Sequence, residues 1–103
     1  MNNEYQIIDN YLMVSLPEEI DHHNSVEIST KADRFINTNK VSNVVFDFEN
    51  TTFMDSSGIG ILVGRYRKVS NLGGKVFVIN ANMRIRRTLM LSGMQKVVQI
   101  MER

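Results

Sequence analysis

Two short runs at residues 5–8 and 11–16 are rich in Tyr, Ile, Leu and Val and read as β-strands. Between them stands Asp9-Asn10, whose side chains both tolerate positive φ, so the pair is expected to form a hairpin. Pro17 ends the second run because it has no N–H to give to a ladder. Asp21 then stands where a helix cap is expected, ahead of Val26 or Ile28, Ala32, Phe35 and Ile36 at helical spacing, and the pattern fades at Asn37-Thr38-Asn39. Val44-Val45-Phe46-Asp47-Phe48 is a nearly continuous apolar run, as expected of a central strand. Phe53-Met54-Asp55-Ser56-Ser57 leads into a second helix with Ile59, Leu62, Val63, Tyr66 and Val69 on its expected buried side. Leu72-Gly73-Gly74 supplies the left-handed cap for that helix. Residues 75–79 read as a strand, 83–91 as a helix closed by Ser92-Gly93, and 97–101 as a last strand. The order β-β-α-β-α-β-α-β predicts one α/β domain with a mixed sheet and helices packed mainly on one side.

Length and composition narrow the function classes. The 103 residues make a single domain with no room for a separate catalytic module. The absence of cysteine excludes a disulfide framework and a thiolate metal site. Met1-Asn2-Asn3-Glu4 does not begin a secretory leader, and no apolar run approaches a membrane span, so a soluble, cytoplasmic protein without a membrane partner is expected. The formal net charge of +1 hides a polarity: through Asp55 there are three Lys/Arg against ten Asp/Glu, and from Ser56 onward nine against one. Such an asymmetry either steers a charged partner or is an ordinary mixture of solvated faces. Arg84, Arg86 and Arg87 form the tightest basic cluster, but no aromatic residue is interleaved to stack bases, and direct nucleic-acid binding is not expected.

The chemistry concentrates at Asp55-Ser56-Ser57-Gly58, a strand-to-helix junction where the first N–H groups of the helix lack partners and its dipole favours an anion. Any of Asp55, Ser56 or Ser57 can serve as the cap, which leaves a serine spare. At about 100° per residue, Ser57, Gly60, Ile61, Gly64 and Lys68 are expected on the outer face of the helix. An exposed helical glycine costs about 1 kcal/mol relative to alanine, so Gly60 and Gly64 imply a close approach, either by another protein or by a loop or helix of the same domain. A nucleophilic Ser56 would need a base, and neither His22 nor His23 is convincing, because adjacent residues point about 100° apart on a helix. For the same reason Asp21 with the two histidines reads as a cap followed by surface side chains rather than a metal site. No catalytic residue, metal or cofactor is expected.

The run Phe53-Met54-Asp55-Ser56-Ser57-Gly58-Ile59-Gly60-Ile61-Leu62-Val63-Gly64-Arg65-Tyr66 resembles the phosphorylation-site segment of STAS domains, specifically of the bacterial anti-sigma-factor antagonists that control sporulation sigma F. Glu19-Ile20-Asp21-His22-His23 resembles the segment before the first helix of the same proteins, and the likeness runs from about Tyr5 to Ile100. The resemblance implies one STAS domain over residues 1–103 with Ser56, the first serine of the pair, as phosphoacceptor. It further implies that the unphosphorylated form binds an anti-sigma factor that is also a serine kinase and frees the sigma factor, while a serine phosphatase resets the switch. On this reading the partner surface comprises Asp21, His22, Asp55, Ser56, Ser57, Gly58, Gly60, Ile61 and Gly64. Two departures stand out: Glu18 follows Pro17 where these proteins often have glycine, and the sequence ends at Arg103, with little room for the C-terminal helix many STAS domains carry. The same fold also serves general-stress partner-switching systems and membrane transporters, the alternative circuits for this chain.

Overall fold

The computed structural model describes residues 4–102; Met1, Asn2, Asn3 and Arg103 lie outside the described residues, and with them most of the segment read above as leader-free. The expected hairpin is formed by β1 (Tyr5–Ile8) and β2 (Tyr11–Ser15), with Asp9 at φ 55° in its turn. A short β3 (Glu19–Ile20) precedes α1 (Ser25–Asn39), β4 (Asn43–Asp47) and a second short strand, β5 (Phe53–Met54). Next come α2 (Ser56–Ser70), β6 (Val76–Ile79), α3 (Met83–Leu91), a 3-10 turn over Met94–Lys96, and β7 (Gln99–Ile100). The main sheet has the order β1-β2-β4-β6-β7, with β1 antiparallel to β2 and every other neighbouring pair parallel.

Register explains where the core sits. Leu12, Val44 and Val76 pair across three strands, as do Val14, Phe46 and Val78, so these six side chains form two rows on one sheet face. None is more than 1% exposed, because that face lies under Ile28, Ala32 and Ile36 of α1, Ile61, Leu62 and Val69 of α2, and Ile85 and Leu89 of α3. On the other face Met13, Val45 and Phe77 form the matching row; Val45 is buried but belongs to no part of that core. The helices thus cover one side of a mixed sheet, as the element order predicted.

Three local features differ from expectation. β3 and β5 pair with each other in a separate two-stranded parallel sheet, an element too short for any hydrophobic period to announce. The last strand is confined to Gln99–Ile100, because Val97 and Val98 instead close the 3-10 turn by donating to the Met94 carbonyl. Asp21 does not occupy the cap position of α1, which falls to Asn24. The glycine read as the end of α2 holds: Gly73 has φ +77°, a conformation that residues with a Cβ rarely adopt.

Candidate functional site

The β3–β5 ladder builds one end of the molecule. Glu19 stands opposite Phe53 and Ile20 opposite Met54, and the Asp55 N–H donates to the Ile20 carbonyl at 3.0 Å. The loop carrying Asp21 and His22 is thereby fixed beside the junction that starts α2. Asp21 Oδ1 accepts from the backbone N–H groups of His23 at 2.9 Å and Asn24 at 3.3 Å. Asn24 returns the contact, accepting from the Asp21 N–H at 3.0 Å and donating to the Glu19 carbonyl at 2.8 Å. Partial burial alone would raise the Asp21 carboxyl, but those two N–H groups and the neighbouring His23 and His22 hold it below its ordinary value. The histidine rings lie 4.0 Å apart and both are exposed, with His23 Nδ1 3.8 Å from Asp21 Oδ1.

At the head of α2 the cap resolves to Asp55. Its Oδ1 accepts from the Ser57 N–H at 2.7 Å, which satisfies one of the orphan donors of the first turn. Ser56 is therefore the spare serine: it is exposed at the first helical position, and its hydroxyl has no hydrogen-bond partner among the described residues. Ser57 is half-buried and faces a groove of about 340 Å³ between α1 and α2, shared with Ser25, Ser29, Asp33 and Gly60. Gly58 is buried where α2 passes close to β5, and a Cβ there would run into the side chain of Met54.

The orientation of α2 departs from the sequence expectation. Ile61 is only 2% exposed and packs inward, so it is not part of an outer face in the free protein. The buried side consists of Gly58, Ile61, Leu62, Arg65 and Val69, whereas Ile59, Val63 and Tyr66 are only half-buried at its margin. The inward side includes the α1–α2 seam. Arg65, 9% exposed, places Nε 3.0 Å from Asp33 Oδ1 of α1, a charge contact without hydrogen-bond alignment. A charged residue thus stands on the inward side of α2, and part of its most apolar stripe lies at the margin. The outward stripe is then Ser56, Gly60 and Arg67, all exposed, with the half-buried Gly64 between the last two, at successive steps of four, four and three residues. A Cβ on Gly60 or Gly64 would meet nothing within 4 Å, so neither glycine is required by packing within the chain.

The structure thus brings Asp21, His22, Asp55, Ser56, Ser57 and Gly58 to one end and runs Gly60 and Gly64 away from it as an open track. Sequence reasoning missed the Asp33–Arg65 pair, and no local signal links residues so far apart.

Comparison with known proteins gives a consistent result. A family model described as the STAS domain matches residues 2–103. The anti-sigma F factor antagonist of Paenibacillus polymyxa is 36% identical over 89 residues, covering 86% of this chain and 76% of the relative. The solved structure of the anti-sigma factor antagonist SpoIIAA in its unphosphorylated form matches with a TM-score of 0.76 at 26% identity, over 96% of this chain and 88% of that one. The Bacillus cell fate determinant SpoIIAA in its phosphorylated form matches with a TM-score of 0.73 at 27% identity, over 95% and 91%.

Proposed function

The chain belongs to the STAS-domain family, and on that premise we propose that it is an anti-sigma factor antagonist switched by phosphorylation of Ser56. In its unphosphorylated form it binds an anti-sigma factor that is also a serine kinase, and the sigma factor held there is released. The observation that carries this reading is the state of Ser56, an exposed hydroxyl with no partner among the described residues, at the start of a helix already capped by its neighbour Asp55.

In phosphoryl transfer the Ser56 oxygen forms a bond to the γ-phosphorus of ATP while the bond to the leaving ADP oxygen breaks, and the hydroxyl proton must go to a base. On this reading the kinase supplies the base and this protein serves as its substrate and ligand. The phosphate adds roughly −1.5 to −2 charge beside Asp55 and the loop of Asp21. A helix N-terminus tolerates an anion, so the fold survives. The interface does not, because a surface that accommodated a neutral hydroxyl next to Gly60 now meets bulk and unbalanced charge. Exposure of Ser56 equally leaves the ester open to a serine phosphatase, and the circuit runs in the cytoplasm. Incubation with the cognate kinase and ATP followed by peptide mass mapping tests the assignment: one phosphate on Ser56 is expected, and modification confined to Ser57 would overturn it.

A further inference from the structure

The switch surface uses one end of the domain and the α1 side of α2, and leaves α3 unexplained. This helix reads Met83-Arg84-Ile85-Arg86-Arg87-Thr88-Leu89-Met90-Leu91, and its buried side is Ile85 and Leu89. At about 100° per residue, Met90, Met83, Arg87, Leu91 and Arg84 fall within a single outward arc about 120° wide. Met83 is 87% exposed, Leu91 82% and Met90 40%, so three large apolar side chains stand in solvent on one helix face. Isolated exposed apolar residues need no explanation, but here Met83 at the start of the helix and Met90 and Leu91 at its end share one face with Arg84 and Arg87 between them, an amphipathic surface with no partner inside the domain.

Charge defines what the surface fits. Arg84 and Arg87 are exposed, and neither guanidinium has a partner among the described residues. After Asp55 the sequence holds one acidic residue, Glu102, and its carboxylate lies 3.0 Å from Arg86 on the flank of the arc. The two free cations thus find no counter-charge from their own half of the chain. Both also lie in the basic segment whose polarity the switch mechanism leaves unused.

We infer that the outward arc of α3, formed by Met83, Arg84, Arg87, Met90 and Leu91, is a second docking surface that receives an acidic amphipathic helix of a protein partner. Methionine and leucine supply an adaptable apolar stripe, and the two arginines pair with carboxylates on a helix laid alongside. The alternative of an anionic bilayer fits less well. Two arginines on a nine-residue helix give a flat anionic surface little to hold, whereas a single helix laid alongside pairs both with carboxylates while covering Met83, Met90 and Leu91. The two surfaces use different helices: α3 connects β6 to the edge strand β7, while the Ser56 stripe borders α1 across α2.

The test uses the full chain, isotope-labelled, and titrates it with a synthetic helix of about 20 residues carrying leucine at i, i+3 or i+4 and i+7 with glutamate elsewhere. The expected result is amide shifts confined to Met83, Arg84, Arg87, Met90, Leu91 and their neighbours. Binding should be about tenfold tighter than to a scrambled peptide of identical composition, since only the helical register aligns apolar and acidic positions. The double variant Arg84→Glu, Arg87→Glu should lose affinity at least about tenfold while folding normally, because acidic residues suit a helix N-terminus. Leu91→Ser, at unchanged charge, should lose several-fold as well, and Ser56→Asp should bind as the unmodified chain does. Shifts elsewhere, equal binding of the scrambled peptide, indifference to charge reversal, loss of binding in Ser56→Asp, or tighter binding to phosphatidylglycerol vesicles than to the peptide would each overturn the inference.

Discussion

The two sides of α2 have opposite requirements. Inward, Leu62 and Val69 are at most 1% exposed, Arg65 reaches Asp33, and a Cβ on Gly58 would displace the side chain of Met54. Outward, Ser56, Gly60 and Gly64 touch little, and both glycines weaken the helix without any packing return inside the chain. A domain of this size has little stability to spare, so open helical glycines point to selection for a surface rather than for the fold. One helix therefore carries the stability of the domain on one face and offers the other as the proposed partner contact.

Substitutions can break that division, beginning with the largest effect. Leu62→Ala should destabilise the domain by about 3 kcal/mol and lower Tm by roughly 15 °C, read by thermal unfolding, while the folded fraction still binds the kinase. Asp33→Ala strands the Arg65 guanidinium in the seam and should cost about 2 kcal/mol, a figure held down because Asp33 is itself partly solvated. Restoration of the urea midpoint in Asp33→Ala/Arg65→Met would confirm that the loss comes from the stranded charge; an unaffected single variant would show that the pair does not hold the seam. On the outward face, Ser56→Asp should raise the Kd for the kinase at least about tenfold, or about 1.4 kcal/mol, with Tm within about 2 °C of the unmodified chain. A largely unfolded variant would mean that the switch works through stability instead. Ser56→Ala should bind and never be released.

Legibility in the sequence followed the range of the interactions. The Asp9-Asn10 turn, the Gly73 cap and the anion-friendly junction at Ser56 are local matters of backbone and capping chemistry, and each is where its residues suggested. The face of α2 was not legible, because its inward side includes the charged Arg65, whose partner Asp33 is met only once α1 and α2 pack together. The strongest apolar stripe, through Ile59, Val63 and Tyr66, consequently misplaces Ile61. The β3–β5 ladder escaped for another reason: two residues carry no period, and their pairing rests on backbone bonds such as Asp55 to Ile20 that any side chains permit. Its effect is nonetheless large, since it carries Asp21 and His22 to the junction.

The division of α2 is tested most directly at Gly64, where stability and binding should move in opposite directions. A side chain there enters open space and removes backbone freedom from the unfolded chain, so Gly64→Gln should stabilise by about 0.5 kcal/mol and raise Tm by roughly 3 °C. The same side chain lies across the track that begins at Ser56, and kinase binding should weaken by about tenfold. Paired thermal unfolding and kinase titration of this one variant decide the matter. A raised or unchanged Tm with weakened binding is the predicted result; a Tm that falls together with binding, or a stable variant that binds undiminished, would contradict the account.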